Sequence, residues 1–120
     1  MKARPILLKR VYEAPARQDG MRVLVDRLWP RGLTPQKASA DLWLREVAPS
    51  ARLRRWYGHD PRRWEEFRHR YRAELEQAPQ ALRTLRELRR RGRVTLLFAA
   101  RSREQNNAVV LRDFLEERKR

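Results

Sequence analysis

The 120-residue chain carries 30 lysines and arginines against 15 acids, for a formal net charge of +15, and 41% of its residues are hydrophobic. That length suits one domain with a real core, and the absence of cysteine excludes disulfides, thiolate catalysis and cysteine-based metal centres. No window approaches 18 consecutive apolar residues, so no membrane-spanning helix is expected.

The apolar run Pro5 to Leu8 is too short for a secretion signal and is interrupted by Lys9-Arg10, so a cytoplasmic location is expected. No cofactor motif is present. Only His59 and His69 offer imidazole, so no metal site is expected. Lysine occurs at positions 2, 9, 37 and 119 alone, and such an arginine skew has a plain source in genome base composition. Base composition does not explain the shortage of acids, which leaves room for an anionic ligand or nucleic acid.

Residues 5–12 read as a first strand, and Asp19-Gly20 as a turn. "MRVLVDR" (21–27) reads as a second strand whose unbroken apolar run points to burial on both faces. Thr34-Pro35 reads as an N-cap opening a short helix. Residues 40–49 alternate weakly and favour a strand. Ser50 caps a helix that Gly58 ends, and Asp60-Pro61 opens the next. There Trp64, Phe67, Tyr71 and Leu75 form an apolar stripe, while Glu66–Arg70 and Glu65–Arg68 are spaced as ion pairs. Pro79 begins a helix with a stripe of Leu82, Leu85 and Leu88, closed by Gly92. "RVTLLFA" (93–99) is the clearest buried strand. A last helix is expected from Ser102, with Gln105 spaced for a capping box, and the charged end "EERKR" is expected to fray. The pattern predicts a single α/β domain over residues 1–120. Its small, mainly parallel sheet of about three or four strands would be flanked by helices, with the helical block 50–92 forming a right-handed parallel crossover.

Ligands of open α/β sheets bind beyond the carboxyl ends of the strands. Asp26, Arg27, Trp29, Arg31 and Gly32 come after the second strand, and Arg101, Ser102, Asn106 and Asn107 after the last. Arginines beside a helix start would suit a phosphate or carboxylate. The leading expectation is therefore a small anionic ligand held by Arg27, Arg31 and Arg101. Ser102 and Asn106 would add hydrogen-bond donors, and Asp26, His59 and Asn107 would complete the lining.

Each element also has a plainer reading. Asp26 can pair with Arg27 or Arg31 as a structural ion pair; Trp29-Pro30 can be a packed corner; Gly32 can serve a positive-φ turn; Ser102 can be an ordinary cap; His59 can be structural. His69 is expected to be solvated. Two alternatives of different kinds remain. One is non-specific RNA or DNA binding through arginine faces: Arg83, Arg86, Arg89, Arg90, Arg91 and Arg93 on one helix, and Arg62, Arg63, Arg68, Arg70 and Arg72 on the preceding one. The other is an enzyme using His59 and Asp26 as an acid–base pair. Oligomeric state is not legible.

Four blocks, "KRVYE" (9–13), "VLVDRLWPRG" (23–32), "VAPSARLRRWYGHDPRRWEEFRHRYRAEL" (47–75) and "VTLLFAARSREQNNAVVL" (94–111), run in order over nearly the whole chain. In these blocks the sequence resembles the YeaO-like family of small bacterial and archaeal proteins, a domain of unknown function. The resemblance implies one α/β domain with no established activity, cofactor or catalytic set. It also implies histidine in related chains where this one has Asn107, which speaks against an indispensable general base there. Cysteines of broader relatives are missing here, so a thiol mechanism cannot transfer.

Overall fold

The computed structural model describes residues 4–117. Four strands, β1 (Leu7–Arg10), β2 (Met21–Leu24), β3 (Leu42–Trp43) and β4 (Val94–Phe98), form one parallel sheet in the order β1-β4-β2-β3. The last strand is therefore inserted between the first two. Leu96 lies opposite Leu8 on one side and Val23 on the other. Burial on both faces explains the continuous apolar reading of "VTLLF", all five of whose residues are buried.

The two faces are covered unequally. Val23, Val25, Val94, Leu96 and Phe98 pack into one core with residues from four helices. These are α2 (Ala51–Tyr57), α3 (Trp64–Leu75), α4 (Pro79–Arg91) and α5 (Asn107–Glu116). On the opposite face Leu24, Leu97 and Val11 meet Ala38 of the short helix α1 (Pro35–Ala38), with Trp29, Leu33 and Trp43 around them. The predicted stripe of α3 is observed: Phe67, Tyr71 and Leu75 are buried. Both predicted ion pairs on its outer side form, Arg68–Glu65 at 2.9 Å and Arg70–Glu66 at 2.8 Å.

Boundaries differ from expectation in two places. Beyond Trp43 the chain leaves the sheet for a 3-10 turn at Arg45–Val47, because Val47 turns into the core instead of continuing the strand alternation. After β4 the helix begins at Asn107, not Ser102. Ser102 Oγ accepts the Gln105 N–H at 3.0 Å, capping only a turn, while Asn106 caps α5 by accepting the Val109 N–H at 3.0 Å. Of the end expected to fray, residues 118–120 lie outside the described residues.

Because β4 separates β1 from β2, residues 11–20 must cross over it, and they do so without a helix longer than the 3-10 turn Arg17–Asp19. A crossing loop carries polar groups onto a sheet face, and here they are satisfied around Asp19. Its carboxylate accepts from Lys9 Nζ at 3.1 Å, Arg22 at 2.5 Å and the Ala16 N–H at 3.0 Å. Its carbonyl accepts from Thr95 Oγ1 at 2.7 Å. Burial alone would raise the Asp19 pKa, but the hydrogen bonds from Ala16, Arg22 and Lys9 outweigh it and hold the carboxyl below its ordinary range. Arg22, itself buried, also donates to the carbonyls of Ser39 and Ala38.

Gly20 completes this crossing. Its φ is +64°, and a Cβ there would stand 2.3 Å from the Arg93 carbonyl oxygen. Gly32, at φ +80°, has no atom within 4 Å of the equivalent position. Gly20→Ala is expected to cost more than about 2 kcal/mol and Gly32→Ala about 1 kcal/mol. Denaturant unfolding of the two variants measures the difference, and equal costs would remove the steric account of Gly20.

Candidate functional site

The chain leaves the carboxyl end of β2 through Val25, whose N–H still bonds the Leu97 carbonyl at 3.1 Å, and then turns sharply. The corner is packed: Trp29 Nε1 donates to the Leu33 carbonyl at 2.6 Å, and its ring meets Trp43 edge-on at 5.3 Å. Gly32 takes the positive φ of the bend, and Tyr12 Oη donates to the Arg31 carbonyl at 2.9 Å. Trp29, Pro30 and Gly32 are thus the structural skeleton that the plainer reading assigns them.

A cleft of about 740 Å³ opens beside this corner, at the adjacent carboxyl ends of β2 and β4. Asp26, Arg27, Arg31, His59, Arg101, Ser102, Asn106 and Asn107 all line it. Asp26 forms part of its floor and binds both neighbouring elements. Its Oδ2 accepts the Ala99 N–H at 2.9 Å, where β4 ends. Its Oδ1 accepts from Asn107 Nδ2 at 3.2 Å, and that amide also donates to the Val25 carbonyl at 2.9 Å. Asp26 has no ion-pair partner among the described residues, so the structural pairing with Arg27 or Arg31 does not form. Burial raises its pKa above the ordinary value, opposed by the Ala99 and Asn107 hydrogen bonds and the charges of His59 and Arg54.

The basic side chains divide into anchored and open. Arg27 is half-buried and donates through Nε to the Pro49 carbonyl at 2.9 Å. Arg31 and Arg101 are exposed, and no cleft arginine has a carboxylate partner among the described residues. His59 comes directly after Gly58 in the left-handed region, at φ +58° after +53°, which turns the α2 exit over the cleft. Asp60 is not available to His59 as an acid–base partner. It caps the next turn by accepting the Arg62 N–H and pairs with Arg62 and Arg63.

Asn106 is placed differently from its expected role as a donor. Its amide is committed to Val109 and to the Ser102 carbonyl, and only 2% of the residue is exposed. It shapes the wall. His69 lies on the exposed side of α3, away from the cleft. Among the described residues no three His, Asp or Glu side chains cluster as metal ligands.

Sequence reading missed Arg54, Tyr12 and Tyr57, which also line the cleft. Arg54 stands one helical turn before Tyr57, on the helix that leads into "GHDP". Its signal is that i,i+3 spacing, which becomes visible only once the α2 exit is known to face the rim.

The raised pKa of Asp26 has a signed consequence. A carboxyl whose folded pKa lies above its ordinary 3.8 contributes stability below the unfolded value and loses it as pH rises through the folded one. The stability of the wild type relative to Asp26→Asn should therefore fall as pH rises above the ordinary carboxyl value of 3.8. Urea unfolding at stepped pH measures this, and a flat difference would mean that Asp26 titrates like a solvated carboxyl.

Fold and site together define a small, all-parallel α/β domain with an arginine-lined cleft at the carboxyl rim of its two central strands. Residues 5–120 match the family described as the inactive DUF488-N3 subclade, and the chain belongs to this family of small YeaO-like proteins. It is 42% identical to the uncharacterized protein Rv3073c of Mycobacterium tuberculosis, over 94% of this chain and 95% of the relative. It is 40% identical to the uncharacterized protein YeaO of Escherichia coli, over 92% and 96% of the two chains. No solved structure matches it significantly.

Proposed function

We propose that the cleft binds a small anionic ligand bearing a phosphate or carboxylate. The observation that carries this reading is the presence of four arginines, Arg27, Arg31, Arg54 and Arg101, on one concave surface with no carboxylate partner among the described residues. Most of the acids elsewhere are matched to basic partners, and the cleft keeps an excess of positive charge that a ligand can use. Arg31, Arg54 and Arg101 supply charge and planar donors. Ser102 supplies a hydroxyl and His59 an imidazole from the α2 exit, whereas the Asn107 amide already gives its N–H groups to the Val25 carbonyl and Asp26 and shapes the wall. Trp29, Tyr57 and Phe67 give the cleft apolar walls.

The description of the family as an inactive subclade favours binding over turnover. It also weighs against the acid–base pairing of His59 with Asp26, between which there is no hydrogen bond. The nucleic-acid alternative has less support. On α3 and the turn before it, Arg62, Arg63, Arg68, Arg70 and Arg72 all pair with carboxylates, which leaves mainly Arg83, Arg86, Arg91 and Arg93 for phosphates. A steep fall of RNA affinity with salt would favour that alternative.

Calorimetric titration with inorganic phosphate, propyl phosphate and propionate tests the anion reading. Saturable binding is expected, and Arg31→Ala and Arg101→Ala should each weaken it by about tenfold, the usual scale of one charge-assisted hydrogen bond. Absence of binding at millimolar probe, or affinities unchanged in both variants, would overturn it.

A further inference from the structure

We infer that the ligand of this cleft carries an uncharged hydrogen-bond donor, a hydroxyl or an amide N–H, beside its anionic group, and that Asp26 is the residue that recognises it. The inference rests on the anion-binding reading above and adds a second recognition element to it.

Asp26 is the one acid among the cleft-lining residues, and for a pocket built only for anions it stands in the wrong place. A carboxylate on the floor repels the charge that the arginines attract. Its structural duties consist of accepting one N–H from Ala99 at Oδ2 and one from Asn107 at Oδ1, and each oxygen keeps a further lone pair. No ion-pair partner contacts the acid among the described residues: His59 and Arg54 act on it only through their charges, and the nearest arginine in sequence, Arg27, spends its Nε on Pro49.

What remains is acceptor capacity. A carboxylate offers about four lone-pair sites, and the protein fills two. The open ones belong to a half-buried group bordering the cleft. A donor on the ligand would use those lone pairs and reverse the sign of the interaction.

The surroundings also define the donor's charge. Arg27 and Arg31 come from the loop that carries Asp26, Arg54 and His59 from α2 and its exit, Arg101 from the loop after β4, and neutral Asn107 from α5. An ammonium group would meet four guanidinium groups in this space, whereas a hydroxyl or amide N–H would not be repelled. A small hydroxylated phosphate or carboxylate has the required pair of groups.

Matched probes separate this inference from the broader reading. Glycerol 3-phosphate is compared with propyl phosphate, and glycerate with propionate, by calorimetry on the wild-type protein and on Asp26→Asn. In the wild type the hydroxylated member of each pair is expected to bind about tenfold more tightly, on the scale of one hydrogen bond to a charged group. In Asp26→Asn that preference should vanish while propyl phosphate gains several-fold, because the opposing charge is gone. Asp26→Glu, which keeps the charge but moves the carboxylate, should also lose the preference, and serves if the asparagine variant fails to fold. Equal binding within each pair overturns the donor inference and leaves anion binding intact. A preference that survives both substitutions overturns the role of Asp26. Failure of all four probes to bind overturns both readings.

Discussion

The arrangement of this domain depends on the insertion of β4 between β1 and β2. Among the described residues β1 has no other strand neighbour, and β2 otherwise has only the two-residue β3. The sheet therefore stays in separate pieces until residues 94–98 arrive, late in the chain. Parallel pairing over such separations closes long loops before any contact compensates for them. That constraint explains features at both ends of the strand. At its amino end the crossing loop must lie over β4, so Asp19 carries a charged network onto a sheet face and Gly20 presses against Arg93. At its carboxyl end the chain from β2 and the chain from β4 emerge side by side, and the space between them is the cleft.

Charge shows the same division. With half as many acids as bases, the positions of the acids decide where positive charge is left uncompensated. Asp60, Glu65, Glu66 and Glu117 are placed against arginines of α3 and the turn before it, and Asp19 against Lys9 and Arg22. The four arginines of the cleft have none among the described residues. The distribution of a few carboxylates thus leaves positive charge uncompensated at the cleft as well as on arginines such as Arg83, Arg86 and Arg91 of α4, whatever genome composition contributed to the arginine count. Exposed pairs of this kind add little stability, so their clearest effect is on where the field of the protein is strongest.

Much of this was legible in the chain. Apolar runs marked β2 and β4, the stripes of α3 and α4 had unambiguous spacing, and Ser50, Gly58 and Pro79 sat where the helix ends are found. Seven of the eight cleft-lining candidates lie in the segments just past β2 and β4, because parallel strands place their exits on one edge; His59 was marked by its place at a helix–helix junction. Other features were not legible for physical reasons. Val47 is buried by tertiary packing that local alternation cannot register. Ser102 and Asn106 both have capping chemistry, and only the distance from β4 to the helix decides between them. The partners of Asp26, Ala99 and Asn107, are more than seventy residues away in sequence. Arg54 looked like one more arginine on a basic helix until the direction of the α2 exit was known.

Tyr57 joins the two sides of the cleft. Its ring stacks on Phe67 at 4.3 Å inside the main core, and its hydroxyl donates to the Gln105 carbonyl at 3.0 Å in the loop that precedes α5. The wall bearing Arg54 and His59 is thereby tied to the wall bearing Ser102 and Asn106, both through a side chain that is itself 5% exposed. Separating the walls would expose that ring and break that bond together. The spacing of the walls is consequently set by the folded core, and a guest of the kind proposed would have to order only exposed side chains such as Arg31 and Arg101.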